Sequence, residues 1–471
     1  MDMNVRTGLG HTARVAEADI AAFRAGLRGS FLLPGDDGYD AARSIWNAMI
    51  DRRPACIVRA AGAADVIRTV DFARTHGCAL AVRSGGHNIA GNAVCEDGLM
   101  LDLSAMRSVH VDPAGRRARV EPGALLSDVD KEAQAFALAL PTGINSTTGI
   151  AGLTLGGGFG WTSRKLGLTI DSLVGVDIVT ADGQLRRADA TQNAELFWAV
   201  RGGGGNFGVV TSFAFDLHPL GPQVMSGLLV HPLDSAASVI AQYRELVAKA
   251  PDELTCWLVL RKAPPLPVIP AEWHGREVLI LALCHCGTLE AGAAAAAPFR
   301  ALGTPIVDLV SPHPFVGWQA AFDPLLTPGA RNYWKSQDLK DLTDASAAVL
   351  IDAARHLPSG ECEVFVAHLG GQVARVGSDQ TAYSRRDVAF LVNMHTRWRA
   401  PADDRACIAW ARGLFDALAP HSTGSVYVNF MPEDEADRVR GAYGGNYERL
   451  AAIKRQYDPQ NLFRLNQNIA G

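Results

Sequence analysis

The spacing of apolar side chains divides the chain into two textures. In the first, up to about residue 217, short apolar runs alternate with amphipathic stripes and glycine-dense turns. Residues 54–60 read as a strand. Residues 62–76 read as a helix, with Val66, Ile67, Val70 and Ala73 on one stripe and Gly77 to stop it. Residues 79–82 form the next strand, so this region opens β-α-β. Short strands follow at 99–103 and 118–121, and a helix at 125–136. Residues 174–180 and 185–188 flank Ala181-Asp182-Gly183, a hairpin signal. A helix at 194–200 precedes Val209, Thr211, Phe213, Phe215 and Leu217, which alternate as in a strand. Residues 1–30 read as a loosely packed extension or short helix, and Asp36-Asp37 as the cap of a helix running to Trp46. Residues 142–160, dense in Gly, Ser and Thr, read as loop.

His218-Pro219-Leu220-Gly221-Pro222 marks a boundary. Beyond it lie longer strands, at 225–230, 254–260, 277–283, 363–368 and 389–398, separated by helices such as 235–249 and 345–356. That order suggests an antiparallel sheet backed by helices. The alanine-rich stretch 291–297 reads as a plain surface helix. The tail, 427–471, holds a strand, a helix at 447–456 and the stop Tyr457-Asp458-Pro459; its helix must bury an apolar face, so the tail is expected to return to the first domain. The expected layout is an N-terminal extension (1–30), a first domain (31–221), a second domain (222–424) and a returning C-terminal segment (425–471).

Composition narrows the function classes. With 471 residues, two domains are the natural expectation. Apolar residues at 48% and charged residues at 20% describe a globular chain, and a net charge of -5 without a basic stripe argues against nucleic acid as a partner. No apolar run approaches the ~20 residues of a membrane span. Residues 1–28 mix charge throughout and lack the apolar core of a signal peptide, so a cytoplasmic location is expected. The eight cysteines form no CxxC pair. Cys284-His285-Cys286 sits in a strand pattern that puts both thiols on one face, which favours buried reduced thiols over zinc; no metal site is expected.

Chemistry concentrates in three glycine-rich turns: Arg83-Ser84-Gly85-Gly86-His87-Asn88, Gly156-Gly157-Gly158-Phe159-Gly160, and Arg201 through Gly208. Together they suggest backbone lying against one large, planar, phosphorylated ligand. The stretch Gly203 to Gly208 fits GxGxxG, but a helix precedes it and a strand follows, the reverse of a dinucleotide fingerprint; its amides remain able to hold phosphate. GxxxxGK[ST], GxSxG and HExxH are absent.

Residues 82–87, 143–168 and 201–211, with Tyr443-Gly444-Gly445-Asn446-Tyr447-Glu448-Arg449-Leu450 and Phe463-Arg464-Leu465-Asn466-Gln467-Asn468-Ile469, resemble the FAD-linked oxidases of the berberine-bridge-enzyme type, in the vanillyl-alcohol oxidase superfamily. The resemblance runs from about residue 30 to the end. It implies an α+β fold: a PCMH-type FAD-binding domain of two α+β subdomains, plus a substrate domain of antiparallel sheet backed by helices. It implies FAD, tethered to His87. Many members add a bond from a cysteine, but the matching position here is Asn145, so a single covalent link is expected, with a narrower pocket and smaller substrates. The cofactor-holding positions implied are Arg83, Ser84, Gly85, Gly86, Asn88 and Gly91; Thr142, Gly143, Thr147, Thr148, Gly149, Gly152, Leu153, Gly156, Gly157 and Gly160; Gly205, Gly208 and Val210; and Asn466 and Asn468 from the tail.

For the catalytic groups, alternation puts Tyr427 and Asn429 on one face, and a tyrosine near the flavin often takes part in deprotonation in these enzymes. A buried phenol beside a cation, for which Lys335 is the candidate, acquires a lowered pKa. His368, and His395 with Asn393, are rivals; Tyr333 completes the set, and Trp257, Trp334 and Phe365 are read as pocket lining or core. The resemblance implies oxidation of a small alcohol, amine or aromatic secondary metabolite by hydride transfer to flavin N5, with dioxygen reduced to hydrogen peroxide. A dehydrogenase with another acceptor, an oxidative cyclase and a flavin carrier without turnover are the alternatives. Assembly is left open, with a homodimer as the candidate.

Overall fold

The computed structural model describes residues 2–470. Strands Cys56–Arg59, Leu99–Asp102 and Leu80–Arg83 pair in parallel, with Ser30–Leu32 antiparallel at the outer edge. Helix Ala63–His76 makes the crossover, closed by Gly77 at φ 66°. Residues before 30 are not loosely packed. Met3–Arg6 and Thr12–Val15 form a hairpin, followed by helix Glu17–Ala25, and Val5, Val15 and Phe23 sink into the same core as Val58, Val66 and Leu101. The helix expected up to Trp46 shrinks to Tyr39–Arg43. Gly38, not an aspartate, precedes it, because the Asp36 carboxylate already accepts from the Leu33 amide at 2.8 Å.

A second, antiparallel sheet runs Leu185–Asp189, Leu173–Val179, Val209–Asp216, Arg117–Val120, Val109–Asp112. Its last strand and the helix Ile150–Leu155, inside the stretch read as loop, are additions to the sequence reading. The tail helix Tyr447–Tyr457 returns to this sheet: Leu450, Ala451 and Ile453 pack with Leu196, Phe207 and Val210. Lys454 anchors it, donating from a buried ammonium to Asp458 (2.5 Å), Asn206 O (2.8 Å) and Phe463 O (3.0 Å). Tyr427 and Asn429 are not in a strand; Val428–Phe430 is a single 3-10 turn.

The large sheet is antiparallel throughout, in the order Val307–Asp308, Gln223–Pro232, Glu277–His285, Leu254–Lys262, Glu363–His368, Phe390–Trp398, Arg331–Leu339, with Ser311–Pro314 also against the second strand. Side chains alternate across it with period two. Leu258, Val364, Val392 and Met394 share a core with Tyr243, Leu350 and Leu414 of the backing helices Ala236–Val247, Asp344–Arg355 and Asp404–Leu418. Trp257, Phe365 and Leu391 point the other way, into a second core with Trp161 and Phe159. Cys284 and Cys286 both lie in that second core. The alanine-rich helix Leu289–Arg300 is mostly exposed on its alanines but buries Gly292, Ala296 and Phe299. Among the described residues, no helix is long and apolar enough to cross a membrane.

Candidate active site

A cavity of about 350 Å³ lies where the glycine turns, the tail and the inner face of the large sheet converge. The turns approach closer than any side chain permits. A Cβ on Gly85 would stand 2.3 Å from the Gly149 amide nitrogen, and one on Gly149 would stand 2.3 Å from that of Gly85. Gly156 faces Asn429 so tightly that a Cβ would reach 2.1 Å from its Oδ1. Gly152 and Gly205, by contrast, have no neighbour within 4 Å of where a Cβ would stand, and they leave bare backbone on the cavity.

This lining fits a flavin dinucleotide. Asn466 Oδ1 and Tyr443 OH, both on residues that line the cavity, are buried with no hydrogen-bond partner in the protein, as expected of groups whose partner is a ligand. Among the described residues no lysine or arginine lines the cavity, so backbone amides at the turns are what can meet phosphate.

His87 opens on this cavity at the end of the strand Leu80–Arg83. Its ring stacks on Trp46, with centroids 5.1 Å apart, and its Nε2 lies 3.1 Å from Thr147 Oγ1. The Thr147 hydroxyl donates to Asn145 Oδ1 at 2.7 Å, so its oxygen accepts from His87 and the lone pair is assigned to Nδ1. Burial, with the nearby Arg83 charge, pushes the imidazole down to about 3, so it is neutral at physiological pH, the form in which its nitrogen is nucleophilic.

The inner face of the large sheet contributes a row across four strands. Register aligns Trp334 with His395, His395 with Glu363, and Glu363 with Arg261. His395 Nδ1 lies 3.0 Å from Glu363 Oε1, and Arg261 donates to Glu363 Oε2 at 2.7 Å. Burial alone would raise the Glu363 carboxyl, but the Arg261 charge and the His395 hydrogen bond outweigh it and hold the group down to about 2. A fixed carboxylate dictates the tautomer: Nδ1 carries the proton and Nε2 the lone pair. His395 lines the cavity, and Nε2 has no partner. The next register position adds Asn393 and Phe365.

The expected residues fall into three groups. Ser84, Gly85, Gly86, Asn88, Gly143, Thr148, Gly149, Gly152, Leu153, Gly156, Gly205, Gly208, Val210, Asn466, Tyr427 and Asn429 line the cavity. Others shape it from behind. Arg83 Nη1 donates to Ala42 O, Gly91 packs on Ile50, and Thr142 accepts from Gln319. Gly157 (φ +121°) abuts Tyr383, and a Cβ on Gly160 would overlap Thr142 O at 1.8 Å. Asn468 Oδ1 is buried and unpartnered outside the lining.

The third group is misplaced. Tyr333 is on the helix side of its strand, its hydroxyl between Asp434 (2.9 Å) and Arg412 (3.1 Å). His368 packs on Phe390 and Arg164, whose Nη1 is 3.3 Å from Nδ1, away from the cavity. Lys335 pairs with Glu435 at 2.5 Å, so the cation beside Tyr427 is instead Arg385, 5.7 Å from the ring centroid. Tyr427 OH accepts from the Gly158 amide and from Asn429 Nδ2, each at 3.0 Å; burial nevertheless raises its pKa. His395 and Trp334, read in the sequence as a rival for the base and as pocket lining or core, complete the site together with Glu363, which the sequence reading left unassigned. Their signal was the alternating polar pair Asn393 and His395, which follows the apolar run Phe390 to Val392 in the same strand.

Two family models match the sequence: an FAD binding domain over residues 54–189, and berberine and berberine like over residues 426–470. The chain is similar to the (R)-6-hydroxynicotine oxidase of Paenarthrobacter nicotinovorans, 31% identical over 462 residues, which cover 94% of this chain and 97% of the relative. It is equally similar to an FAD-linked oxidoreductase of Dictyostelium discoideum, 31% identical over 428 residues and 90% of each chain. The solved structure of 6-hydroxy-D-nicotine oxidase from Arthrobacter nicotinovorans matches with a TM-score of 0.85 at 30% identity, covering 94% of this chain and 98% of that one.

Proposed function

This chain belongs to the FAD-linked oxidoreductases with a berberine-like tail, and we propose that within them it is an oxidase of a small alcohol, amine or aromatic metabolite in which His395 is the base. FAD, when bound, supplies the acceptor for the substrate's hydride and returns the electrons to dioxygen, giving hydrogen peroxide. The residues suited to hold it are the backbone of Ser84 to Gly86, Thr148-Gly149 and Gly205, with Asn466 and Tyr443 offering their unpartnered atoms; His87 is the single tether. His395 Nε2 takes the proton from the substrate O–H or N–H. The imidazolium that results faces a carboxylate fixed by Arg261, so its charge is compensated without rearrangement.

The observation that carries this reading is the unpartnered, cavity-lining Nε2 backed by Glu363. Replacing His395 with Gln should slow anaerobic flavin bleaching by substrate by roughly 10²–10⁴-fold, while the flavin stays attached. An unchanged rate removes His395 as the base. A flavin that stays reduced for minutes after air is admitted would identify a dehydrogenase. Tyr427 is the second reading, supported by the two donors at its oxygen, which favour the phenolate; it requires Tyr427→Phe, not His395→Gln, to give the large loss.

A further inference from the structure

We infer that the substrate is an uncharged, flat, ring-bearing molecule with one hydroxyl-bearing polar edge, an inference that rests on the oxidase reading of this cavity. Charge is the first argument. Among the described residues, Glu363 is the one Lys, Arg, Asp or Glu side chain that lines the cavity, and both of its oxygens are taken, one by Arg261 at 2.7 Å and one by His395 at 3.0 Å. Arg261 itself lies beyond Glu363 and lines a separate depression with Pro264 and Glu361. A cationic substrate would have to draw Glu363 from Arg261, leaving a buried guanidinium uncompensated. An anionic one would meet a carboxylate with no cation on its own side. Either arrangement carries the cost of a buried unpaired charge.

Shape is the second argument. Trp334 meets Trp46 edge to face at 5.6 Å and Phe430 at 5.4 Å, and Phe365 lies one register position away, so the walls are ring faces and edges that favour a flat partner. The polar atoms are the third. Trp334 Nε1, His395 Nε2 and Asn393 Oδ1 have no protein partner, and they come from adjacent positions of two paired strands, which makes one polar edge. One hydroxyl pairs two of the three: its hydrogen goes to His395 Nε2 and its oxygen accepts from Trp334 Nε1, and Asn393 Oδ1 stays open to one further donor on the same edge. A sugar chain brings more hydroxyls than this edge can pair, and each one left unpaired on burial costs about 1–3 kcal/mol.

The test is the holoenzyme with an isosteric trio: naphthalen-2-ylmethanol, 2-naphthoate and 2-naphthylmethylammonium. Dissociation constants come from flavin absorbance changes, and oxidation is read separately by anaerobic bleaching. The alcohol should bind at least roughly tenfold more tightly than either ion. Trp334→Phe should weaken the alcohol about fivefold and leave 2-methylnaphthalene, which has no hydroxyl, unaffected. Equal or tighter binding of either ion, or no binding of the alcohol, overturns the inference. Tightest binding of the alcohol without any bleaching supports the inference and instead counts against the oxidase reading.

Discussion

Asp130 offers the sharpest test of how the two halves of the molecule are joined. It lies on helix Leu126–Gln134 of the FAD-binding half, fully buried, and meets Gln319 of helix Phe315–Gln319, whose amide also donates to Thr142 Oγ1 (2.9 Å) and Gly143 O (3.3 Å) at the cavity edge. Asp130 Oδ1 and Gln319 Oε1 are both buried acceptors without a donor, and a carboxyl proton supplies the missing one. Burial pushes the carboxyl from 3.8 up to about 7, with the Gln319 hydrogen bond a smaller opposing effect. The sign follows. Below pH 3.8 folded and unfolded chains are both protonated; between about 4 and 7 only the folded chain holds the proton, so stability falls as pH rises; above 7 the loss is complete. Three pH units at about 1.4 kcal/mol each make roughly 4 kcal/mol, an upper bound. Asp130→Asn keeps a neutral donor and removes the titration. At about 2.1 cal/mol/K per residue the whole chain unfolds with an entropy of about 1 kcal/mol/K, so the variant's melting temperature should rise relative to the parent by up to about 4 °C between pH 4 and pH 8. Calorimetry of both proteins across that range measures it. A difference that is constant with pH would refute a carboxyl that is protonated in the fold.

Other outcomes follow from single contacts. Gly85→Ala places a methyl group 2.3 Å from the Gly149 amide nitrogen, so the two turns must part, and purified protein should contain little flavin by absorbance. Glu363→Gln strands Arg261 and should cost about 3 kcal/mol at pH 7 by denaturant titration. Because the carboxyl is held near 2 in the fold against an ordinary 4.5, that stabilisation is complete above pH 4.5 and fades toward pH 2, so the gap between variant and parent should narrow there. Lys454→Met leaves Asp458 without its cation, though the Leu462 and Phe463 amides still donate to it; a loss of roughly 3 kcal/mol and a lower flavin content are expected.

Much of the flavin half was legible because its signals are local. Glycines that must touch backbone, a histidine one residue past a strand's turn, and a stop at Gly77 are all written in adjacent residues. The row of His395, Glu363 and Arg261 was not, because it is assembled by register. Glu363 lies 32 residues from His395 and 102 from Arg261, and no local pattern joins them. The strand Arg331–Leu339 carries little hydrophobic signal, since buried Asn332, Lys335, Ser336, Gln337 and Asp338 interrupt it; without that strand Tyr333 and Trp334 are both assigned to the pocket, although neighbours along a strand face opposite sides. Tyr427 and Asn429 do meet, but through one tight turn instead of strand alternation. Lys335 looked like the partner cation by type alone; which cation nears Tyr427 depends on how the segment bearing Arg385 folds back.

The tail closing over the cavity sets an order in time. Phe463, Leu465, Asn466 and Gln467 line the same space as residues 84–88, yet synthesis reaches them hundreds of residues later. At ribosomal rates that interval is on the order of a minute. During it the glycine turns can form while the cavity lacks a wall, so a nascent chain offers the cofactor an open trough, and retention begins only once Lys454 has docked the tail.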